Sequence, residues 1–575
     1  MESLFRVSVL AGASVVMEAL QCVLKRHMAE RGWPQPLFVT EAGGELELVV
    51  VSGLAEEGFL IENGVGSGVR IASGSAKGLY YGVGHWLRCS CMADGSFGAC
   101  TWRGVSEPRL SMRGIYFATH FHNFYQEAPI DVVERYIEDL ALWGVNGLVV
   151  WFDMSHFESF ADPAAVAMVS RLKALIRTAR RVGMSAGLGM LANEGYRATP
   201  HHLRATKTGR AHYGIEVCVA TSEGEELVLA NIREVFEEFR EVGVDHIWLW
   251  PYDQGGCGCE GCAPWGVNGM LRIGEKVARL YKSIYCKGRV IFSTWLFDYK
   301  GDQGEWRGLA EAFAEQPDWV DFILADSHGA FPRYPLEHGV PGELPLLNFP
   351  EISMFGMLPW GGFGANPAPK RFAGLWGEVV QLAEGGFPYS EGVFEDINKV
   401  LYARFYWTGT NDWREAIDQY ARLAWGVPAG DRLYRIIEIL EANHGPLWMH
   451  EKMFAAWGYK DGKPPQGAIA VEGYAGWYRY APGPGADARL ADEALRLCEV
   501  LEGEMPAWGR ESWRWRIVKL RALLDAEMLH NGGAPTAACA VALRELEEIY
   551  YAAGADMTVT PPGFNDISRV DAVTG

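Results

Sequence analysis

The stretch Val132–Phe152, VVERYIEDLALWGVNGLVVWF, decides the fold because it joins two kinds of element. Its first half places apolar residues at the spacing of one helix face, which predicts an amphipathic α-helix. Its second half contains Gly147–Trp151, a short apolar run that is typical of a β-strand. A helix that leads into a strand is the repeating unit of an α/β fold. The fold therefore depends on how often this unit recurs along the chain.

The alternation of strand-like and helix-like segments continues between about residue 110 and about residue 410. Amphipathic segments separate eight candidate strands: Gly114–Ala118, Gly147–Trp151, Ser185–Leu191, His246–Trp250, Val290–Trp295, Phe322–Ala325, Leu344–Asn348 and Phe387–Ser390. Eight strands with intervening helices over roughly 300 residues are typical of a (β/α)8 TIM barrel of the α/β class. A doubly wound sheet fits less well, because no glycine-rich phosphate-binding turn follows an early strand.

Two further regions flank the predicted barrel, which occupies residues 109–410. Residues 1–108 alternate short strands and helices, which predicts a small N-terminal α/β domain. Residues 411–575 contain mostly helical patterns, which predicts a C-terminal α-helical domain. Three domains agree with a length of 575 residues, since single hydrophobic cores stop growing at about 250–300 residues.

The composition restricts the class of partner. A formal net charge of −20 argues against nucleic acid and anionic membrane surfaces as partners. No apolar stretch approaches the ~18 residues that a membrane span needs. The N-terminus lacks a basic segment before its apolar run, and the 11 cysteines do not form a secreted disulfide framework. These features predict a cytoplasmic protein without a signal peptide, and they leave association into a homo-oligomer open.

Polar and aromatic residues cluster directly after the candidate strands, where the active site of a TIM barrel forms. Glu194, Asp253 and Glu391 lie beside glycine-rich or aromatic loops, which favours a catalytic role over helix capping. Glycoside hydrolysis requires two carboxyl groups that flank the scissile bond, and these three are the predicted catalytic residues. The predicted substrate-binding residues at the same strand ends are His120, His122, Asp153, Trp250, Tyr252, Gln254, Trp295, Asp326, Glu351 and Trp360.

Several segments resemble glycoside hydrolases with this architecture. SAKGLYYGVGHWLR (75–88) followed by PRLSMRGIYFATHFHNF (108–124) resembles the junction between a small α/β domain and the barrel in family 20 β-hexosaminidases and family 67 α-glucuronidases. The opening stretch matches the first helix and second strand of those barrels. YSEGVFEDINKVLYARFYW (389–407) looks like the last strand and helix of α-glucuronidase-like and related uncharacterised barrel hydrolases. The resemblance covers about residues 50–425 and implies a glycosidase on a TIM barrel.

The resemblance also implies roles for individual residues. Arg113 matches the arginine that holds sugar hydroxyls in the hexosaminidase pattern, so Arg113 is expected to bind substrate. The catalytic Asp-Glu pair of that pattern matches Asp253 and Gln254. A glutamine cannot act as a general acid, since its amide does not ionise. The acid is then expected to come from another loop, and Glu194 or Glu391 is the predicted source.

Taken together, these features predict an exo-acting glycoside hydrolase that cleaves a terminal N-acetylhexosaminide or uronide from an oligosaccharide or glycoconjugate. The 22 Trp, 23 Tyr and 26 Phe suit a cleft that stacks on sugar rings, and no organic cofactor is expected. Gln254 keeps a second hypothesis open, a non-catalytic carbohydrate-binding or sensor protein on a degenerate hydrolase barrel. A third is a metal-dependent hydrolase that uses His120 and His122, although no third histidine stands at ligand spacing.

A cysteine cluster follows the fourth candidate strand. Cys257, Cys259 and Cys262 have the spacing C-x-C-x-x-C, which is typical of metal ligands but supplies only three thiolates. Cys218 is the best fourth ligand, because it lies in the connection after the third strand, next to this loop. A closed four-thiolate zinc site would hold the loop in place and do no chemistry. Free thiols and a local disulfide are the alternatives.

Overall fold

The computed structural model describes residues 4–93, 96–120, 123–207, 214–252, 256–298, 301–327, 330–353, 365–443, 485–532 and 536–552. The N-terminal region forms a six-stranded sheet in the order β2-β1-β3-β5-β4-β8, with a separate β6–β7 hairpin. Helices α1 (Val15–Glu30) and α2 (Ala76–Cys89) accompany it. The strands are β1 (Phe5–Val9), β2 (Pro36–Val39), β3 (Leu46–Val50), β4 (Phe59–Asn63), β5 (Val69–Ser73), β6 (Cys91–Ala93), β7 (Ser96–Gly98) and β8 (Gly104–Ser106).

The central region is a closed parallel barrel, which confirms the predicted (β/α)8 fold. Each strand from β9 to β15 pairs in parallel with the next, and β9 closes the barrel by pairing with both β10 and β16. Three strands have the predicted bounds to the residue. The barrel strands are β9 (Met112–Phe117), β10 (Gly147–Trp151), β11 (Ser185–Leu191), β12 (His246–Trp250), β13 (Arg289–Ser293), β14 (Phe322–Asp326), β15 (Leu346–Phe349), β16 (Ala383–Gly386) and β17 (Tyr389–Ser390).

The eighth barrel position is filled by two short strands, β16 and β17, where a single strand over Phe387–Ser390 was predicted. Both pieces pair with β9. Pro388 separates them because it has no N–H to donate to a neighbouring strand. The first piece, AEGG, lacks the apolar residues that signal a strand, yet Gly385 is needed there. A Cβ on Gly385 would lie 1.8 Å from the Met112 carbonyl oxygen on β9.

Helices surround the barrel and continue into the C-terminal region. Arg514 joins the C-terminal region to the helices of the barrel, because its guanidinium lies 3.0 Å from Asp139 and 2.9 Å from Asp396. The helices are α3 (Phe124–Glu127), α4 (Ile130–Ala141), α5 (Pro163–Arg181), α6 (Ser222–Glu238), α7 (Gly269–Ile284), α8 (Glu305–Ala312), α9 (Arg333–His338), α10 (Pro369–Val379), α11 (Asp396–Thr408), α12 (Trp413–Trp425), α13 (Asp431–Ala442), α14 (Ala488–Glu502), α15 (Ala507–Glu511), α16 (Trp513–His530) and α17 (Ala537–Tyr551). Over the described ranges, no helix is long and apolar enough to cross a membrane.

The barrel interior is a packed core. Side chains alternate between the inside and the outside of each strand, and the inward set is apolar and rich in aromatic rings. It comprises Met112, Tyr116, Ala118, Val149, Trp151, Leu191, Trp248, Trp250, Ile291, Phe322, Leu324, Leu347, Phe349 and Phe387. Because these side chains fill the interior, a ligand has access only to an end of the barrel.

Candidate functional site

Side chains alternate between the inside and the outside along each strand, and this alternation also places polar groups at the C-terminal end of the barrel. Five residues at or near the C-terminal ends of barrel strands pack into the barrel interior: Ala118, Trp151, Leu324, Phe349 and Tyr389. The residue two positions later has the same parity, so it is directed towards the same side. On these strands that residue is polar: His120, Asp153, Asp326, Glu351 and Glu391. Five of the predicted site residues therefore meet at one end of the barrel, which we call the barrel mouth.

Asp153 and Glu194 form a buried carboxyl pair beside the mouth. Their residues are 1% and 0% exposed. Glu194 Oε1 accepts hydrogen bonds from the backbone N–H of Met154 at 2.5 Å and of Ser155 at 3.4 Å. Asp153 Oδ1 accepts from the N–H of Ser155 at 3.0 Å. The second oxygen of each carboxyl has no donor among the described residues. The two carboxyl groups are close enough to shift each other's pKa, so a proton on one of them can be donated to the other.

One proton shared between the two carboxyl groups explains this arrangement. Burial, together with the adjacent Asp153 charge, raises the pKa of Glu194 well above its usual range. Burial also opposes the ionisation of Asp153, but the nearby rings of His156 and His120 and the Glu194 hydrogen bond outweigh it. They hold the pKa of Asp153 at about 2. At neutral pH Asp153 is the carboxylate of the pair and Glu194 carries the proton.

A second group of carboxyl residues lies directly after β15 and β17. Glu351 is 2% exposed, and its Oε1 accepts from the N–H and the hydroxyl of Ser353, both at 2.8 Å. Burial raises the pKa of Glu351 to about 7. Glu391 accepts a hydrogen bond of 2.5 Å from the Tyr389 hydroxyl. Burial raises the pKa of Glu391 to about 8; the Tyr389 bond lowers it and the charge of Glu351 raises it.

Asp326 adds a third carboxyl group of the same kind. It ends β14, opposite Phe349 on β15, and burial raises its pKa to about 7. Three carboxyl groups at the mouth thus titrate close to neutral pH, which is the range that general acid–base catalysis requires. Tyr389 is not among the site residues predicted from the sequence. It precedes Glu391 by two residues, so the two side chains are directed towards the same side of the strand.

Stacked tryptophans form the aromatic side of the mouth. The ring centroids of Trp248 and Trp250 are 6.0 Å apart at 15°, and those of Trp250 and Trp295 are 5.4 Å apart at 29°. Trp248 is fully buried and Trp250 is 7% exposed, whereas Trp295 is only partly buried. Trp295 is the last ring of this stack and the least buried of the three.

His120 lies between the two groups of carboxyl residues, because β9 pairs with both β10 and β17. It is 6% exposed, its Nδ1 lies 3.4 Å from the Tyr116 hydroxyl, and its ring centroid is 5.2 Å from that of Trp151. These contacts place His120 beside Tyr116 and Trp151 of the barrel interior.

The structure contradicts two of the predicted substrate contacts. Arg113 is the second residue of β9, so it lies at the opposite end of the barrel from the mouth. It is 0% exposed and donates to the carbonyls of Gly144 at 2.9 Å and Leu110 at 2.7 Å, and to Glu57 at 2.5 Å. Its role is therefore structural: it fastens the N-terminal region to the base of the barrel.

Tyr252 is the second correction. It is 2% exposed and belongs to the outer core, with its hydroxyl donating to Glu305 at the start of α8. The same hydroxyl accepts from the N–H of Gly266 at 3.1 Å. Tyr252 lies beyond the end of β12, and these two hydrogen bonds hold its ring in the outer core, whereas Trp250 belongs to the barrel interior. Asp253, Gln254, His122 and Trp360 lie outside the described residues.

The four predicted cysteine ligands come together: three lie in the loop between β12 and α7, and Cys218 lies in the segment before α6. The sulfur atoms of Cys218, Cys257, Cys259 and Cys262 all lie within 4.8 Å of one another. The Cys218 and Cys259 sulfurs are 3.6 Å apart. Four sulfurs placed tetrahedrally at the Zn–S distance of about 2.3 Å would be about 3.8 Å apart. The arrangement therefore fits a closed four-thiolate zinc site, and these residues would hold the ion without leaving it an open position.

No protein-family model and no curated protein sequence matches the chain. Solved structures of glycoside hydrolases share its fold. One is a family 115 4-O-methyl-α-glucuronidase with specificity for decorated arabinogalactans, with a TM-score of 0.61, 10% identity, and coverage of 98% of this chain and 78% of that one. Another is a family 89 enzyme from Clostridium perfringens in complex with GlcNAc-alpha-1,4-galactose, with a TM-score of 0.59, 12% identity, and coverage of 90% and 61% respectively.

A third similar structure is a family 20 exo-β-N-acetylglucosaminidase from Vibrio harveyi, with a TM-score of 0.51 and 11% identity. The match covers 73% of this chain and 74% of that structure. The resemblance expected from the sequence is thus confirmed at the level of the fold, which is a (β/α)8 barrel of the kind found in these glycoside hydrolases.

Proposed function

We propose that the protein is an exo-acting glycoside hydrolase whose acid and base are carboxyl groups at the barrel mouth. The observation that carries the proposal is the contrast between Glu391, whose pKa is raised to about 8, and Asp153, whose pKa is held at about 2. Two carboxyl groups with opposite protonation states at neutral pH are what the cleavage of an acetal requires. They lie on strands that flank β9 on its two sides.

In this proposal Glu391 is the general acid. It carries a proton at neutral pH, and it is more exposed than Glu351, so it can reach the glycosidic oxygen of the leaving group. The Tyr389 hydroxyl orients the Glu391 carboxyl and stabilises the carboxylate that remains after proton transfer. Asp153 is the carboxylate that stabilises the oxocarbenium-like transition state, as nucleophile or as base for a water molecule.

Glu194 has a positioning role in this scheme and does not itself transfer a proton to substrate. It is 0% exposed, and one of its oxygens is fixed by the backbone amides of Met154 and Ser155. Its proton is shared with Asp153, so it holds that carboxylate in place and keeps it ionised. This differs from the acid or base role expected from the sequence.

The proposed substrate carries a terminal N-acetylhexosamine or uronic acid. The similar structures support this class by their own ligands and activities, which include a methylated glucuronide, GlcNAc-alpha-1,4-galactose and N-acetylglucosaminide substrates. Trp295 provides the face on which a sugar ring would stack. A panel of nitrophenyl glycosides and natural oligosaccharides tests the proposal, with Glu391→Gln and Asp153→Asn as inactive controls.

Two alternative functions give different results in the same panel. A carbohydrate-binding or sensor protein on this barrel would bind a ligand without turnover in any assay. A metal-dependent hydrolase that uses His120 would lose its activity at once in the presence of a chelator, because a catalytic metal keeps an open position. Turnover that resists the chelator and fails in Glu391→Gln would support carboxyl catalysis.

We further propose that Cys218, Cys257, Cys259 and Cys262 hold one structural zinc ion. The separation of their sulfur atoms supports this proposal, and Cys257 and Cys262 are fully buried. The ion would join the segment before α6 to the loop after β12, at the edge of the barrel mouth. Bound thiolates that form only in the folded chain link the metal to the stability of the fold.

A further inference from the structure

A second group of metal-ligating side chains lies in the N-terminal region, far along the chain from the four-cysteine cluster. His85 and Cys89 are four residues apart on α2, so their side chains share one face of the helix. The chain then forms the β6–β7 hairpin and returns at Cys100. The N–H of Cys100 donates to the Ser90 hydroxyl at 3.0 Å, which fixes the returning segment against the end of α2.

The distances among these three residues are those of a metal site. One ligand atom from each of His85, Cys89 and Cys100 lies within 4.8 Å of the other two. His85 Nε2 and Cys89 Sγ are 3.5 Å apart. A tetrahedral zinc ion with Zn–N of about 2.0–2.1 Å and Zn–S of about 2.3 Å places these two ligand types about 3.5 Å apart. The observed separation therefore needs no rearrangement to accept the ion.

The surroundings hold the histidine in this orientation. The His85 ring centroid lies 4.4 Å from that of Trp102 and 5.5 Å from that of Phe59. Aromatic contact on this scale restricts rotation of the ring, which keeps Nε2 directed at the sulfur atoms. Cys100 is 1% exposed, whereas His85 and Cys89 are partly exposed, so an ion has a route from solvent.

We propose that His85, Cys89 and Cys100 bind a second divalent ion of the zinc class. The ion ties the C-terminal end of α2 to the segment that leads into β8. Two thiolates neutralise the double positive charge of the ion, and imidazole with thiolates is a donor set that zinc prefers. Three protein ligands leave one coordination position, which a water molecule or a small anion fills.

Zinc content and X-ray absorption of the full-length protein test this proposal. A double variant, Cys257→Ser with Cys259→Ser, removes the four-cysteine site and leaves only the proposed one. It should retain about one zinc per chain, with two sulfur ligands near 2.3 Å and nitrogen or oxygen ligands near 2.0–2.1 Å. Adding Cys89→Ser should remove this zinc, whereas adding Cys22→Ser, an exposed cysteine on α1, should not. Equal zinc with and without Cys89 would overturn the proposal.

A measurement on the unmodified protein covers the case in which the variants fail to fold. Alkylation of Cys89, followed by mass spectrometry of its peptide, should become several-fold faster after chelation, because bound metal shields the thiolate. Alkylation of Cys22 serves as the control and should not change. An alkylation rate of Cys89 that is unaffected by chelator would refute the site, and so would a Cys89–Cys100 disulfide in the purified protein.

Discussion

Asp153 and Glu194 are a buried pair of carboxyl groups, and each keeps one oxygen to which no described group donates. Two adjacent buried carboxyl groups resist being ionised together, so the pair holds one proton over a wide pH range. The proton stays with Glu194, because burial and the Asp153 charge raise the pKa of Glu194. The pair therefore keeps Asp153 ionised at the barrel mouth over this pH range.

The first prediction separates the roles of these two residues. Asp153→Asn should lower kcat by at least about 10²-fold, the lower range for loss of a base or nucleophile. Glu194→Gln should keep kcat within about tenfold of wild type, because the amide imitates a protonated carboxyl group: it accepts from Met154 and donates to Asp153. Steady-state kinetics on the substrate found in the panel measures both effects.

Glu194→Ala provides the matched control for positioning. It removes the hydrogen bond that lowers the pKa of Asp153, so the acidic limb of the pH profile should move to higher pH, whereas Glu194→Gln should leave that limb in place. If the Gln variant loses as much activity as the Ala variant, Glu194 transfers a proton itself and the positioning role is wrong.

The second prediction concerns the basic limb of the pH profile. A general acid acts in its protonated form, so activity should fall as the pH rises through the Glu391 pKa of about 8. Tyr389→Phe removes a hydrogen bond that lowers this pKa, so the limb should shift upward by about one unit or less. Glu391→Gln should lose the limb together with most of the activity. A limb that does not move in Tyr389→Phe would assign it to another group.

The third prediction follows from the burial of Glu351. Its pKa in the folded protein, about 7, is raised above the ordinary value, so the native state binds the proton more tightly than the unfolded chain. Stability contributed by Glu351 is therefore lost as the pH rises from about 4.5 to about 7, by up to about 3 kcal/mol. Glu351→Gln should remove this loss, since an amide does not ionise.

Urea unfolding at pH 5 and pH 8 measures the effect on stability. The fall in free energy of unfolding between the two values should be smaller in Glu351→Gln than in wild type. Glu384→Gln, at an exposed position on the adjacent strand β16, is the control and should behave like wild type. An unchanged fall in Glu351→Gln would show that the pKa of Glu351 is not raised in the folded protein.

The fourth prediction concerns Trp295 as the stacking surface. Trp295→Ala should raise KM about tenfold, which corresponds to about 1.4 kcal/mol of binding, while leaving the pH profile unchanged because stacking involves no proton. Trp295→Phe keeps an aromatic face and should recover most of the lost affinity. A shifted pH optimum with unaltered KM in the Ala variant would contradict a stacking role.

The sequence predicted the barrel well because its signals are local. Apolar runs of five to seven residues predicted β10, β11 and β12 to the residue, since these strands have no irregularity. The single strand predicted at the eighth position was wrong, because a close approach between strands requires Gly385 and because Pro388 interrupts strand pairing. Both effects arise from contacts with neighbouring strands, and the residue pattern along a single strand does not report such contacts.

The site was predicted less completely for a related reason. Alternation along a strand leads from Trp151 to Asp153 and from Tyr389 to Glu391, so these positions follow from the sequence. The substrate-binding role predicted for Arg113 is wrong because the matched arginine stands at the start of its strand, which is the end of the barrel away from the mouth. The pairing of Asp153 with Glu194 depends on how two loops approach each other in space, and no local pattern reports it.

The last prediction concerns the four-cysteine cluster, whose assembly from two separate segments was foreseen from the order of the barrel strands. If it holds zinc, Cys259→Ser should lower the melting temperature and loosen the loop after β12, which reduces activity indirectly. Cys286→Ser, an exposed cysteine beyond the end of α7, is the matched control and should change neither property. Because a closed site exchanges its metal slowly, chelator should act over hours rather than at once. Thermal melts of both variants, with and without added zinc, measure the effect; a Cys259→Ser protein as stable as Cys286→Ser would show that the cluster holds no structural metal.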